Sequence, residues 1–267
     1  MKTMRLNHLG GVLLAVAAAG LLAAVGLVVV LYAQPAEANF PGKPGKIAFA
    51  QYDGTDFEIY TINPNGGGKK QLTDNSTSDV GPAYSPNGKK IAYSGRDAPA
   101  PNGDNEIYTI NAGGGGKKQL TDNSTGDYSP SYSPSGKRIA FSASAGNDLE
   151  IYTINAGGGD KKQLTDNSTD DSDPAYSPSG KRIAFEGTAG GDYEIYTIKP
   201  DGGGRLQVTD NSSDDELPSY SPSGKKIAFV NDAGTDNEIW TINPGGGGRQ
   251  QVTDNANDDN WPFWGSQ

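Results

Sequence analysis

Asp171-Ser172-Asp173-Pro174-Ala175-Tyr176-Ser177-Pro178-Ser179-Gly180-Lys181-Arg182-Ile183-Ala184-Phe185 is the opening of a unit that the chain repeats. The unit continues through Glu194-Ile195-Tyr196 and ends on Val208-Thr209-Asp210-Asn211. Ile-Ala-Phe or Ile-Ala-Tyr starts at Ile47, Ile91, Ile139, Ile183 and Ile227. Glu-Ile-Tyr or Glu-Ile-Trp starts at Glu58, Glu106, Glu150, Glu194 and Glu238. Leu/Val-Thr-Asp-Asn starts at Leu72, Leu120, Leu164, Val208 and Val252. The spacing is 44 residues, with one interval of 48 between Ile91 and Ile139. A fixed period of ~40–45 residues, made of short apolar runs and turn residues, is the mark of propeller blades.

Each unit reads as four strands. In the second, Pro82-Ala83-Tyr84-Ser85 is a short strand ended by the turn Pro86-Asn87-Gly88, and Lys90-Ile91-Ala92-Tyr93-Ser94 is the next. After a loop comes Glu106-Ile107-Tyr108-Thr109-Ile110, then the glycine-rich hairpin Asn111 to Gly116, then Lys118-Gln119-Leu120-Thr121. The runs are β-branched and aromatic and are bounded by Pro, Gly, Asn and Ser. Four strands per unit make a blade, and five units make an all-β, five-bladed β-propeller. The first unit lacks a Pro-x-Tyr-Ser-Pro strand before Ile47, and the last is followed by an extra copy, Pro262-Phe263-Trp264-Gly265. The expectation is therefore a ring closed by the C-terminal strand joining the N-terminal blade, which removes two sheet edges. The alternative is an incomplete six-blade ring closed by dimerisation. The matched ends favour the five-bladed ring and a monomer.

Composition excludes several chemistries. The chain has no cysteine, and its one histidine, His8, lies near the N-terminus. Residues 39–267 therefore carry neither Ser-His-Asp nor Cys-His machinery, nor the usual His/Cys zinc ligands. The net charge of the 267 residues is -10. Removing Lys2, Arg5 and Glu37, together a charge of plus one, leaves about -11, which argues against nucleic acid as a partner. Residues 1–38 read as an export signal. Lys2 and Arg5 precede the uncharged apolar run Leu9 to Ala33, and Ala36-Glu37-Ala38 is an A-x-A cleavage site. The alternative is an uncleaved membrane anchor, since ~20 apolar residues span a bilayer. Either way residues 39–267 are expected outside the cytoplasm: secreted, periplasmic or anchored at the cell surface.

The units resemble the TolB-type propeller repeat, a relative of the WD repeat. The residues that carry the likeness are the Asp-x-x-Pro-x-Tyr-Ser-Pro-x-Gly-Lys-x-Ile-Ala-Phe run, then Glu-Ile-Tyr, then Leu-Thr, over residues 46–264. The turn is Ser-Pro-Asn-Gly or Ser-Pro-Ser-Gly here, where the family usually has Ser-Pro-Asp-Gly. The separate α/β domain of TolB is missing, and there are five units where TolB looks six-bladed. The resemblance implies the fold, with the Pro-x-Tyr-Ser strand innermost and the Leu-Thr strand outermost. It also implies two polar faces. One collects the lysines and arginines of the turns and hairpins, among them Lys69, Lys117, Lys161, Arg205 and Arg249. The other collects the Asp-rich loops.

Candidate sites fall into repeated and unrepeated residues. Asp79, Asp127, Asp171, Asp215 and Asp259 stand three residues before the proline of each innermost strand. Lining the channel mouth, they form a ring of carboxylates that repel, raise each other's pKa and favour a hard cation such as Ca²⁺. The alternative is that each accepts a backbone N–H of its own turn. The pairs Asp56/Glu58, Asp104/Glu106, Asp148/Glu150, Asp192/Glu194 and Asp236/Glu238 are read as structural, with each Glu bonding the neighbouring blade. Asn75, Asn123, Asn167 and Asn211 begin N-x-S/T sequons and are read as turn residues.

Function is expected where the units differ. The position before the inner-strand proline is Gly81, Ser129, Asp173, Leu217 and Trp261. Trp240 and Trp264 replace recurring tyrosines and are expected in the core. Trp261 has no aromatic counterpart and is the best ligand-binding candidate, flanked by Asn260 and Phe263; the alternative is a plug over the closing seam. A four-residue expansion in the Arg96 to Asp104 loop is the second asymmetric feature. The expected function is a non-catalytic extracytoplasmic binding or scaffolding propeller, with a protein or cell-surface glycan at the acidic face. Such a propeller needs no cofactor, unless the Asp ring holds Ca²⁺. A carboxylate-based glycosidase of the five-bladed kind is the alternative, disfavoured because the carboxylates look symmetric. An accessory propeller of a peptidase is a third.

Overall fold

The computed structural model describes residues 45–96, 103–189, 191–232, 234 and 236–264. Residues 1–38, expected above to be an export signal, and residues 97–102 of the expanded loop lie outside them. The described residues form five antiparallel sheets and no helix, arranged as a five-bladed β-propeller. The first sheet is β1 (Ile47–Tyr52), β2 (Phe57–Ile62) and β3 (Lys70–Gln71). The second is β4 (Asp79–Tyr84), β5 (Lys90–Arg96), β6 (Asn105–Asn111) and β7 (Lys118–Gln119). The third is β8 (Asp127–Tyr132), β9 (Arg138–Ala145), β10 (Asp148–Asn155) and β11 (Lys162–Gln163). The fourth is β12 (Asp171–Tyr176), β13 (Ile183–Ala189), β14 (Asp192–Ile198) and β15 (Leu206–Gln207). The fifth is β16 (Asp214–Tyr220), β17 (Ile227–Asp232), β18 (Asn237–Ile242) and β19 (Gln250–Gln251). Strands β4, β8, β12 and β16 touch one another in succession and are therefore innermost.

The repeated phrases have local reasons. The outer strands are two residues long, and a threonine extends each ladder. Thr209 Oγ1 accepts the Ile195 N–H at 2.8 Å, and Thr73, Thr121, Thr165 and Thr253 do the same. In the Ser-Pro-x-Gly turns the glycine donates to the serine carbonyl, as Gly180 does to Ser177 at 2.8 Å. It stands at φ 67, where a side chain would be strained.

Packing between blades is directional. Ala184, Ile195 and Val208 of the fourth blade meet Tyr220, Ile227, Phe229 and Ile242 of the fifth. The third meets the fourth in the same way, through Ala140, Ile151 and Leu164 against Tyr176, Ile183, Phe185, Tyr196 and Ile198. Each blade thus offers a face of small and aliphatic residues to the bulky face of the next. Interior side chains such as Phe141, Phe185 and Phe229 are fully buried, each worth about 1.5–3 kcal/mol over the exposed state.

The closing segment is the least regular part of the ring. The first sheet has three strands, and among the described residues β1 pairs only with β2. Residues 261–264 lie in no strand. They are anchored on the fifth blade instead: Trp264 Nε1 donates to Ser219 O at 3.2 Å, and Asp259 N donates to Asn237 O at 2.6 Å. These anchors fix the segment where the inner strand of a following blade would stand, and neither reaches β1.

Candidate functional site

The inner strands share one irregularity, and it builds the central cavity. Register shifts occur between Val80 and Ala83, Ser172 and Ala175, and Glu216 and Ser219, with the same break between Tyr128 and Ser131. At each break the residue before the proline is left-handed: Gly81, Ser129, Asp173 and Leu217 have φ of 64, 51, 50 and 54. Trp261 has φ 53, so the terminal segment repeats the bulge without being in a sheet. A bulge re-aims one side chain out of the alternating pattern. Here it sends Ser129, Asp173, Leu217 and Trp261 to the wall of a cavity of about 80 Å³ that also touches Ser131, Ser219 and Phe263. Trp261 and Phe263 remain 39% and 38% exposed at its edge. Asn260 does not line it; its Oδ1 accepts from Asn237 Nδ2 at 2.8 Å. Trp240 packs against the core as expected, and Trp264 is half-buried.

Behind Asp173 the wall holds two further carboxylates. Glu186 Oε1 accepts from Ser172 Oγ at 2.9 Å and Oε2 accepts the Leu217 N–H at 2.8 Å. Burial pushes Glu186 well above the usual carboxylate range, and the negative charges of Asp173 and Glu216 push further. Burial raises Asp173 too, against the hydrogen bonds it makes to Ser129 and Glu186. Glu216 is pushed up to about 7 by burial, then by Asp214, Asp173 and Asp232. Like charges in a low-dielectric wall cannot all ionise, so the group holds protons near neutrality. The matching positions of Glu186 in the other units are Ala50, Ser94, Ser142 and Val230. That break in the pattern is the sequence signal for Glu186, and the expectation of symmetric carboxylates fails at this trio.

The recurring aspartates lie elsewhere than a channel-mouth ring. Asp79, Asp127, Asp171 and Asp215 are fully buried at the start of the inner strands. Each accepts from the asparagine four residues earlier, as Asp171 Oδ2 does from Asn167 Nδ2 at 2.8 Å. Three of them also meet a cation from the hairpin before the outer strand: Lys161 at Asp127, Arg205 at Asp171 and Arg249 at Asp215, at 3.4, 3.0 and 3.3 Å. Lys117 lowers the pKa of Asp79 in the same manner, against burial that leaves it at about 7. Each cation crosses its blade over an aromatic pair, Arg205 lying 4.2 Å from the Tyr196 centroid and 5.5 Å from that of Phe185. These lysines and arginines therefore do not stay on a separate basic face. Asp259 is half-buried and holds Asn255 Nδ2 at 2.6 Å.

The Asp-x-Glu pairs are structural in a different sense from the expected one. Each Glu accepts a backbone N–H from its own unit's Asp-Asn loop, such as Asn211 N to Glu194 Oε1 at 2.5 Å, and not from a neighbouring blade's strand. The same asparagine reaches the next inner strand's Asp, so Glu194, Asn211 and Asp215 couple one blade to the next. Among the described residues, the one group of three carboxylates close enough to share an ion is Asp53, Glu58 and Asp74 of the first blade. It does not include the recurring aspartates.

Comparison with known proteins agrees with this architecture. The family model described as the TolB beta propeller domain matches residues 122–266. No curated protein matches. The fold is similar to a putative TolB from Agrobacterium tumefaciens, at TM-score 0.66 and 23% identity over 76% of this chain and 76% of that one. It is also similar to TolB from Acinetobacter baumannii, at TM-score 0.67 and 25% identity, over 80% of this chain and 54% of that one. An oligogalacturonate lyase in complex with manganese shares the fold at TM-score 0.62 and 13% identity, over 84% of this chain and 65% of that one.

Proposed function

The chain belongs to the TolB beta propeller domain family, and from that premise we propose that it is a non-catalytic binding propeller working outside the cytoplasm. The observation that carries this reading is the unrepeated edge of the central cavity, where Trp261 and Phe263 stand exposed beside Asp173. An exposed aromatic pair supplies apolar area at small entropic cost, and the Asp173 carboxyl group supplies orientation. The chemistry suits a partner segment that presents an apolar or sugar face with a hydrogen-bond donor. The export pattern of residues 1–38 supports an extracytoplasmic setting.

The unequal carboxylates give the hydrolase reading one supporting fact, since such chemistry needs one raised pKa. Two observations weigh against it. Both oxygens of Glu186 are already engaged. The cavity, about 80 Å³, is far below the ~300–1,000 Å³ usual for an enclosed small-molecule site. That shape favours surface recognition.

The test is a screen of the full chain on glycan and peptide arrays, with Trp261→Ala alongside and chromogenic glycosides as a parallel assay. Binding that weakens at least about tenfold in Trp261→Ala, a loss of ~1.4 kcal/mol, supports the proposal. Binding untouched by the substitution, or turnover of a glycoside, overturns it.

A further inference from the structure

Not every cation crosses its blade. Lys89, Lys137, Lys181 and Lys225 end the four Ser-Pro-x-Gly-Lys turns and are exposed. The turns stand side by side around the ring: a Cβ on Gly136 would lie 3.5 Å from Pro86, one on Gly180 3.5 Å from Pro134, and one on Gly224 3.6 Å from Pro178. The next residue of each unit is also basic and reaches toward the glycine-rich hairpin of its own blade. Lys90 donates to Asn111 Oδ1 at 3.3 Å, Arg138 to Asn155 Oδ1 at 3.2 Å, Arg182 to Gly204 O at 2.9 Å and Lys226 to Gly248 O at 2.9 Å. Backbone bonds hold turn and hairpin together at one end of the strands, Ala112 N donating to Lys89 O and Ala156 N to Lys137 O, both at 2.9 Å.

The charge at this end is one-sided. The turns carry no acid, and the hairpins 63–68, 111–116, 155–160, 199–204 and 243–248 carry only Asp160 and Asp201. Asp160 is paired with Arg138. Among the described residues Lys89, Lys137, Lys181 and Lys225 form no ion pair. The opposite end is the reverse. Asp74, Asp122, Asp166, Asp210 and Asp254 are exposed there, in loops 74–78, 122–126, 166–170, 210–213 and 254–258 that contain no lysine or arginine. The chain also enters the propeller through the basic end: Ile47 pairs with Ile62 beside the hairpin 63–68, and Lys46 Nζ donates to Gly68 O at 3.4 Å. Twelve residues, 34–45, separate that point from the uncharged apolar run Leu9 to Ala33. Fully extended they reach about 40 Å.

We propose that this lysine-bearing rim docks on an anionic lipid surface, with the acidic end of the propeller turned away from it. Like charges set side by side repel one another, and an anionic surface facing the rim relieves that repulsion at every turn at once. Lipid is the occupant for two reasons. A planar array of headgroups meets the whole ring of turns, whereas a small anion meets one or two lysines. The basic end is also where the chain enters, so a bilayer holding the apolar run Leu9 to Ala33 brings this rim to its headgroups first. Each Lys or Arg close to an anionic lipid surface strengthens association roughly fivefold, and the gain fades within a Debye length. The docking is independent of what the central cavity binds.

The test reads which end touches lipid. The chain lacks cysteine, so Ser179→Cys in a turn of the basic rim and Asp166→Cys at the acidic end, both exposed, can each carry one fluorophore. The full chain is reconstituted in vesicles of phosphatidylcholine, with and without phosphatidylglycerol, and a quencher on the lipid headgroups reports contact. Quenching is expected at residue 179 and not at residue 166, and only where phosphatidylglycerol is present. It should vanish as salt rises, since the Debye length falls from ~10 Å at 0.1 M to ~3 Å at 1 M. Lys89→Gln, Lys137→Gln, Lys181→Gln and Lys225→Gln, made together, should weaken docking at least about tenfold. The lipid and salt dependence of the labelled chain needs none of these four changes, so it stands if they impair folding. Quenching at residue 179 that ignores phosphatidylglycerol, or that appears equally at residue 166, overturns the proposal. So does a label at residue 179 that stays in water on both kinds of vesicle, the result expected if an acidic protein is the true occupant of the rim.

Discussion

Replacing Arg205 with methionine isolates the repeated buried pair. Methionine keeps apolar cover over Tyr196 and Phe185 and removes the guanidinium that lies 3.0 Å from Asp171 Oδ1. Asp171 is fully buried, and its carboxyl group sits at about 6, raised chiefly by burial and held down by Arg205. Without Arg205 the group escapes by taking a proton. The cost of that escape follows from the distance between the pH and the wild-type pKa, at ~1.36 kcal/mol per unit. It is about 3 kcal/mol at pH 8, about 1 kcal/mol at pH 7 and near zero at pH 5.5. Loss of the cation–aromatic contact adds roughly 1 kcal/mol at every pH. Arg205→Met should therefore destabilise by about 4 kcal/mol at pH 8 and about 1 kcal/mol at pH 5.5. Urea unfolding at three pH values measures this directly, and Tm should drop by roughly 10 °C at the alkaline end and a few degrees at the acid end. A loss that is the same at all three pH values would refute the reasoning, because the carboxyl group would then not be the one paying.

The whole domain should be more stable in mild acid than in mild alkali. Asp79, Glu106 and Glu216 sit at about 7 and Asp171 at about 6, raised above their unfolded values mainly by burial. A raised carboxyl pKa gives stability that is complete below about pH 4 and lost as pH rises through 6–7, so Tm should fall between pH 5.5 and pH 8; a rise would contradict the burial of these groups. Glu186→Gln keeps an acceptor for Leu217 N and cannot ionise, so it should stabilise the protein at pH 8 and leave it nearly unchanged at pH 5, as read by urea unfolding at the two pH values. Thr209→Val keeps the shape but strands the buried Ile195 N–H, and should cost about 1–3 kcal/mol in urea unfolding. No loss would mean that the threonine does not extend the ladder.

The fold was legible because periodicity reports on backbone and packing together. Ile-Ala-Phe, Glu-Ile-Tyr and the glycine-rich hairpins are each local, and strands such as β13 and β14 fall where their β-branched and aromatic runs predict. The aspartate–cation pairs were not legible, because Asp171 and Arg205 lie 34 residues apart and meet only once the blade has formed. The same distance hid the crossing of Lys161 and Arg249 from one face toward the other. Trp261 was singled out by asking where the units disagree, and the structure puts it at the cavity edge. Glu186 answers the same question, yet a glutamate inside an Ile-Ala-Phe strand reads as outward until the bulge of the next inner strand presents the Leu217 N–H to it. The closing segment repeats the inner-strand bulge at Trp261, as its matched sequence implies, although residues 261–264 are assigned to no strand.

Directional packing between blades has a consequence for how such a chain changes over generations. Every internal boundary uses the same pair of faces, so a coding segment for one unit can be duplicated or deleted by unequal recombination without creating a new kind of junction. Stability would then scale with unit number much as in a linear array of coupled spins, and the length of the protein becomes a heritable variable that selection can adjust in steps of one blade.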